Sequence, residues 1–166
     1  MGINRQKVEG LLRAANIKEP PVNVHKIALL MDFRVMPWGG FSDDFGGGVF
    51  VYEGAKIIAV NDKHPSNRQR FNIAHEIGHI ANGHNISDTD LKRFSDGEFN
   101  YLNANHRQEK EANMFAAELL MPKKFLDNSL PLSGLDYNRL ALEYEVSEQA
   151  MRVRLNTTGL ARKFGV

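Results

Sequence analysis

Two histidines four residues apart, with a glutamate directly after the first, are the residues here best suited to chemistry. They are His75, Glu76 and His79, in the stretch FNIAHEIGHIANGH at 71–84. On a helix, residues four apart share a face, so both imidazoles can reach one metal ion. Glu76 lies about 100° round the helix from His75, too far for an easy third ligand but within reach of a water on the metal. A carboxylate so placed is a general base: zinc lowers the pKa of water toward about 7, and the base takes the proton as a carbonyl is attacked. His-Glu-x-x-His is the pattern that supplies this arrangement, and chance would place about 0.014 copies in a chain of this composition. Phe71, Ala74, Ile77, Gly78 and Ala81 form an apolar arc, with His75 and His79 at its edge beside Arg68, Asn72 and Asn82. Ligands at the border of a core are held still, and Arg68 and Asn72 are polar neighbours able to orient them.

A catalytic zinc needs a third protein ligand and an open fourth position. The metzincin continuation is missing, because Asn82 stands where its glycine would be and Asn85 where its third histidine would be. His84 follows His79 by five residues, about 140° away on a continuing helix, and reads as a helix-end or cleft residue. The better candidate lies in QEKEANMFAAELLMP, whose apolar face is Ala112, Phe115, Ala116, Leu119 and Leu120. Glu109 lies about 50° from the centre of that face and Glu111 about 110° from it. Glu109 is therefore expected to face inward and Glu111 to face water. Asn113, one turn after Glu109, is placed to hydrogen-bond a ligand histidine. Tyr101 and His106 are candidate donors to a developing oxyanion. Trp38 and Phe41, beside Gly39-Gly40, are candidates for the border of a peptide cleft or for core.

The elements that must position these groups are legible in outline. Val8, Leu11, Leu12 and Ala15 fall at helical spacing, and VNVHKIALLMDF reads as a second short helix. GVFVYEGAKIIAVN reads as a hairpin turning at Glu53-Gly54, so the glycine-punctuated stretch before the histidines is expected to form a small antiparallel sheet. Ser66 with Gln69 predicts a capping box opening the histidine helix, which runs to about Gly83. Residues 85–105 are polar and weakly patterned, more like a functional loop than a simple connection. A helix over HRQEKEANMFAAELLMP stops at Pro122, and the tail from Asp136 reads as two more helices. The fold class is α+β and helix-rich.

Composition excludes several roles. The chain has 166 residues and a formal net charge of +1, so no global field draws it to nucleic acid or an anionic membrane. It has no cysteine, so a metal site must use His, Asp or Glu. No apolar run approaches a membrane span and no signal peptide is evident, so a cytoplasmic protein is expected.

RQRFNIAHEIGHIANGH followed by EKEANMFAAELLMP closely resembles the ImmA/IrrE family of zinc metallopeptidases, over residues 22–160. The resemblance implies a zincin-like domain over 1–130 and a packed, helix-turn-helix-like C-terminal segment over 131–166. It implies Zn2+ on His75, His79 and Glu109, with Glu76 as base. It also implies a protein substrate, a helix-turn-helix repressor, in a phage or mobile element or in a stress response. The alternative is a zinc-containing regulatory module that binds DNA or a partner without cutting. From Asp136 onward there are five Lys or Arg against four Asp or Glu. That balance neutralises little phosphate, so packing or partner recognition is expected there before DNA reading. Glu145 also stands where DNA-reading versions carry a turn glycine.

Overall fold

The computed structural model describes residues 5–84, 106–133 and 135–164. Two helices, α1 (Arg5–Ala14) and α2 (Val24–Leu30), precede the strands β1 (Arg34–Trp38), β2 (Gly47–Tyr52) and β3 (Ala55–Asn61). The long helix α3 (Ser66–Asn82) follows, then α4 (His106–Leu120), α5 (Lys123–Ser133), α6 (Tyr137–Tyr144), α7 (Glu148–Thr157) and α8 (Leu160–Phe164). The fold is α+β, helix-rich, with one small sheet.

That sheet is mixed rather than antiparallel. Its order is β1-β3-β2; β2 pairs antiparallel with β3, but β1 runs parallel to it. Period-2 patterning marks a strand without encoding its direction, which the connections decide. Pro37 in β1 cannot donate to a ladder, which suits an edge strand. The hairpin turn falls at Glu53 and Gly54, both at positive φ (48° and 79°), as a two-residue hairpin requires.

Successive residues of the central strand feed two faces. Ile58 and Val60 join the main core, while Ile57 and Ala59 pack with Phe41 and Phe50 in a smaller cluster. Phe41 is therefore core, and Trp38 lies partly exposed beside it with ring centroids 6.5 Å apart. The main core runs from Val8 through Ile73, Ile77, Phe115 and Leu126 to Met151 and Leu160. Each such aliphatic or aromatic side chain contributes about 1.5–3 kcal/mol by leaving water.

The histidine helix starts without the expected capping box. Its N-cap is Pro65, with no side-chain cap, and the Gln69 amide instead donates to the His64 (2.7 Å) and Asp62 (3.3 Å) carbonyls. Across from it, α4 approaches closely because Gly78 has no side chain. A Cβ there would lie 3.0 Å from the Ala112 carbonyl oxygen and 3.2 Å from Phe115 Cβ. This contact sets the two helices near enough for α4 to reach the histidines.

The region after Pro122 holds more helix than its sequence advertises. Pro131 masks α5, which nonetheless buries Phe125, Leu126 and Leu130. The tail forms three helices rather than two; α6 and α7 are capped by Asp136 and Ser147. Glu145 sits between them in the left-handed region (φ 52°), where glycine is favoured. Among the described residues, no helix is long and apolar enough to cross a membrane.

Candidate metal centre

His75 and His79 project from one face of α3, and Glu109 meets them from the first turn of α4. The two Nε2 atoms are 2.9 Å apart, and the Glu109 carboxylate oxygens lie 3.3 Å from His75 Nε2 and 3.4 Å from His79 Nε2. Among the described residues these three form the one cluster able to hold a metal ion. A tetrahedral zinc with ligand bonds of about 2.0–2.1 Å separates neighbouring ligand atoms by roughly 3.3 Å. The Glu109 contacts, one from each carboxylate oxygen, match that separation, and the two Nε2 atoms lie somewhat closer.

The hydrogen bonds behind the ligands fit a cation. His75 Nδ1 donates to Asn113 Oδ1 at 2.9 Å, with the amide oriented as acceptor. His79 Nδ1 lies 3.0 Å from His84 Nδ1, and His84 Nε2 lies 3.1 Å from Glu111 Oε2. Glu111 in turn accepts from Arg107 Nε at 2.9 Å. The acceptor at the end of this chain is a carboxylate, so each imidazole passes one donor outward, from His79 to His84 to Glu111. Both Nε2 lone pairs then point inward at a third acceptor, Glu109. Three acceptors converging this closely repel one another unless a cation lies between them.

Electrostatics follow burial. Glu76 is nearly fully buried, and desolvation, with the Glu109 charge second, pushes its pKa up to about 8. Without a metal this carboxyl holds its proton at neutral pH, and a cation beside it would favour the carboxylate that a general base requires. His79 is lowered to about 4, first by burial and then by His75 and His84, so it stays neutral with a lone pair for a metal. Glu111 is held below the usual carboxylate range by its hydrogen bonds from Arg107 and His84.

Other candidates are placed elsewhere. Asn72 donates to the Gly46 carbonyl at 3.0 Å and lies 3.4 Å from His64 Nδ1, fixing the loop before β2. Arg68 is exposed on α3. His106 is exposed and borders the cavity that contains Glu109. Tyr101 and the 85–105 loop lie outside the described residues.

Two residues join the site against expectation. His84 does not continue the helix: Gly83 turns left-handed (φ 67°) and the His84 N–H bonds back to the His79 carbonyl at 3.1 Å. This closes a Schellman turn that lays the His84 ring against His79. Glu111 is drawn from solvent by that ring and by Arg107. The signal was present, since a glycine just past a helix end predicts such a reversal.

A histidine pair and a carboxylate converging between two helices, with a buried carboxyl beside them, define a metallopeptidase-like domain. The sequence matches the Peptidase_M78 family, described as the IrrE N-terminal-like domain, over residues 24–156, and the chain belongs to that family. No curated protein matches it. Among solved structures, a Mycobacterium tuberculosis transcriptional regulator has a similar fold, with a TM-score of 0.65 at 16% identity. The match covers 91% of this chain but 45% of the regulator, so the chain spans less than half of that protein's length.

Proposed function

We propose that the protein is a zinc-dependent endopeptidase that hydrolyses a peptide bond in a protein substrate, acting in the cytoplasm. The observation that carries this reading is the convergence of His75, His79 and Glu109 within 4.8 Å of one another, beside a buried Glu76. His75, His79 and Glu109 would hold the zinc. Bound there, zinc supplies a Lewis acid and makes water acidic enough to lose a proton near pH 7. Glu76 would accept the proton of a water attacking the carbonyl and return it to the leaving amine. Asn113 and His84 hold the two imidazoles in the tautomer that leaves Nε2 free.

The substrate in this reading is a helix-turn-helix repressor, so that cutting relieves repression in a mobile element or stress response. Residues 1–130 form the peptidase unit and 131–166 an appended helical segment packed on it. The left-handed Glu145 between two capped helices favours a second reading, a zinc-containing regulatory module that binds DNA or a partner without cutting.

Glu76→Gln separates the two. In the peptidase reading the variant keeps zinc yet loses cleavage of a co-encoded repressor by at least ~10²-fold, followed by intact mass. Undiminished cleavage in that variant would remove Glu76 as the base.

A further inference from the structure

The cavity that contains Glu109 and Asn113 does not end at the metal ligands. It encloses about 1000 Å³ and runs along α4 to the outer face of α7. From α4 it is bordered by His106, Glu109, Asn113 and Ala117, positions three or four apart and so on one side of that helix. From α7 it is bordered by Gln149, Val153 and Thr157, again four apart. In a helix-turn-helix pair, the outward face of the second helix is the one that would enter a DNA groove. Here that face looks into a cavity that Glu109 and Asn113 also border.

The chemistry of the groove is that of a peptide receptor. Phe71, Met114, Met121 and Ala150 give it an apolar floor, and Val153 stands 55% exposed within it. A large aliphatic side chain held in water inside a concave surface is what a partner's apolar side chain would cover. The rim is cationic: Lys110 is exposed, and the exposed Arg5 shares the single Glu118 carboxylate (3.5 Å) with Arg154, which leaves a net positive charge there, while Glu109 belongs to the metal centre. The wall is also fixed in place. Arg154 is buried, bonds to Glu118 of α4, and donates from Nε to the Met121 carbonyl at 3.0 Å.

The same contacts leave little for DNA. Of the two arginines on α7, Arg154 is buried in its ion pair, and Arg152 is held by Glu148 at 2.6 Å and lies over the Tyr137 ring. Phosphate binding needs free cations, and neither is free.

We propose that the Gln149, Val153 and Thr157 face of α7 is the far wall of the substrate groove. It takes a peptide segment that seats an apolar side chain against Val153 and an acidic one toward Lys110 and Arg5. The C-terminal helix pair is then a substrate-selecting element, and Val153 and Lys110 are specificity-determining residues. This rests on the peptidase assignment above.

The test uses the zinc-loaded full chain carrying Glu76→Gln, panned against a phage-displayed library of random dodecapeptides. Selected peptides are expected to pair an apolar with an acidic residue. Adding Val153→Glu should weaken their binding at least tenfold, whereas Val153→Leu should retain it. Lys110→Glu should remove the acidic preference. Val153 is exposed, so these changes leave the core intact. Selection of no peptide, or binding indifferent to Val153→Glu, would overturn the proposal. So would binding of a random-sequence 20-base-pair duplex that is lost with Val153→Glu, because the face would then be a DNA reader. Cleavage of the selected peptides by the chain with Glu76 intact is scored separately. Peptides bound through Val153 yet never cut would count against the peptidase reading and leave the groove standing.

Discussion

The α3–α4 pair and the α6–α7 pair are both helix pairs set against the same core, yet they spend their polar residues differently. Across α3 and α4, Gly78 lets two backbones approach, and the polar side chains at the border converge on one point without neutralising one another. Between α6–α7 and the rest of the molecule, polar groups are matched in ion pairs and hydrogen bonds, with the buried Arg70 Nε left over. Arg154 meets Glu118, Arg70 of α3 meets Glu145 at 3.1 Å, and Ser129 bridges Glu143 and Tyr144. An arrangement with its polar groups satisfied holds a shape; one with acceptors left facing each other waits for a cation. The contrast separates a scaffold from a site without any appeal to motif.

The sharpest way to break the comparison is at the buried pair. Arg154→Ala takes the buried partner from Glu118, leaving it the exposed Arg5 at 3.5 Å and the Lys123 N–H at 3.2 Å, and is expected to destabilise the protein by about 3 kcal/mol in urea unfolding. Zinc affinity should change little, since the pair lies outside the ligand set. Equal losses of stability and zinc affinity would mean the two regions are not separable.

A smaller effect is expected at the outer end of the relay. Glu111→Ala frees the His84 ring that fixes the tautomer of His79. Zinc affinity measured by chelator competition should fall about 10–100-fold, with Glu111→Gln closer to the parent. Stability of the metal-free protein should barely move, because Glu111 is near the surface. Unchanged zinc affinity in Glu111→Ala would show the relay to be a bystander.

The smallest effect is on pH dependence without metal. Glu76 titrates near 8 folded against 4.5 unfolded, so its contribution is complete below about 4.5 and is lost as pH rises through 8. His79 titrates near 4 folded against 6.5 unfolded, so its contribution is complete above about 6.5 and is lost as pH falls through 4. The two slopes oppose each other between 4.5 and 6.5, and above 6.5 only Glu76 acts. The metal-free protein should lose about 2 kcal/mol between pH 6.5 and 8, and Glu76→Gln should not. Parallel pH curves for the two proteins would contradict the buried, protonated state of Glu76.

The same contrast explains what could be read from the sequence. The meeting of His75 and His79 on one face is legible because their spacing on one helix is their geometry, and the approach of Glu109 because it borders an apolar face. The orientation of Asn113 toward His75 followed from the same wheel. His84 is legible only as a helix-end or cleft residue, because its place against His79 depends on the left-handed turn at Gly83, and Glu111 is misjudged because the wheel of α4 leaves out the His84 ring and Arg107 that hold it. Strand β1 was beyond reach in direction, since alternation carries no polarity. Helix α5 was hidden by Pro131, whose effect is outweighed by burial of Phe125, Leu126 and Leu130. The face of α7 that borders the cavity shared with Glu109 could not be foreseen, because it depends on how distant helices dock.

The most direct test of the account is zinc content after exhaustive dialysis, measured by mass spectrometry of the metal for three proteins. One zinc per chain is expected in the parent, with loss of zinc in Glu109→Gln and retention in Glu111→Gln. A parent without zinc, or a zinc that leaves with Glu111 and stays without Glu109, would contradict the proposed ligand set.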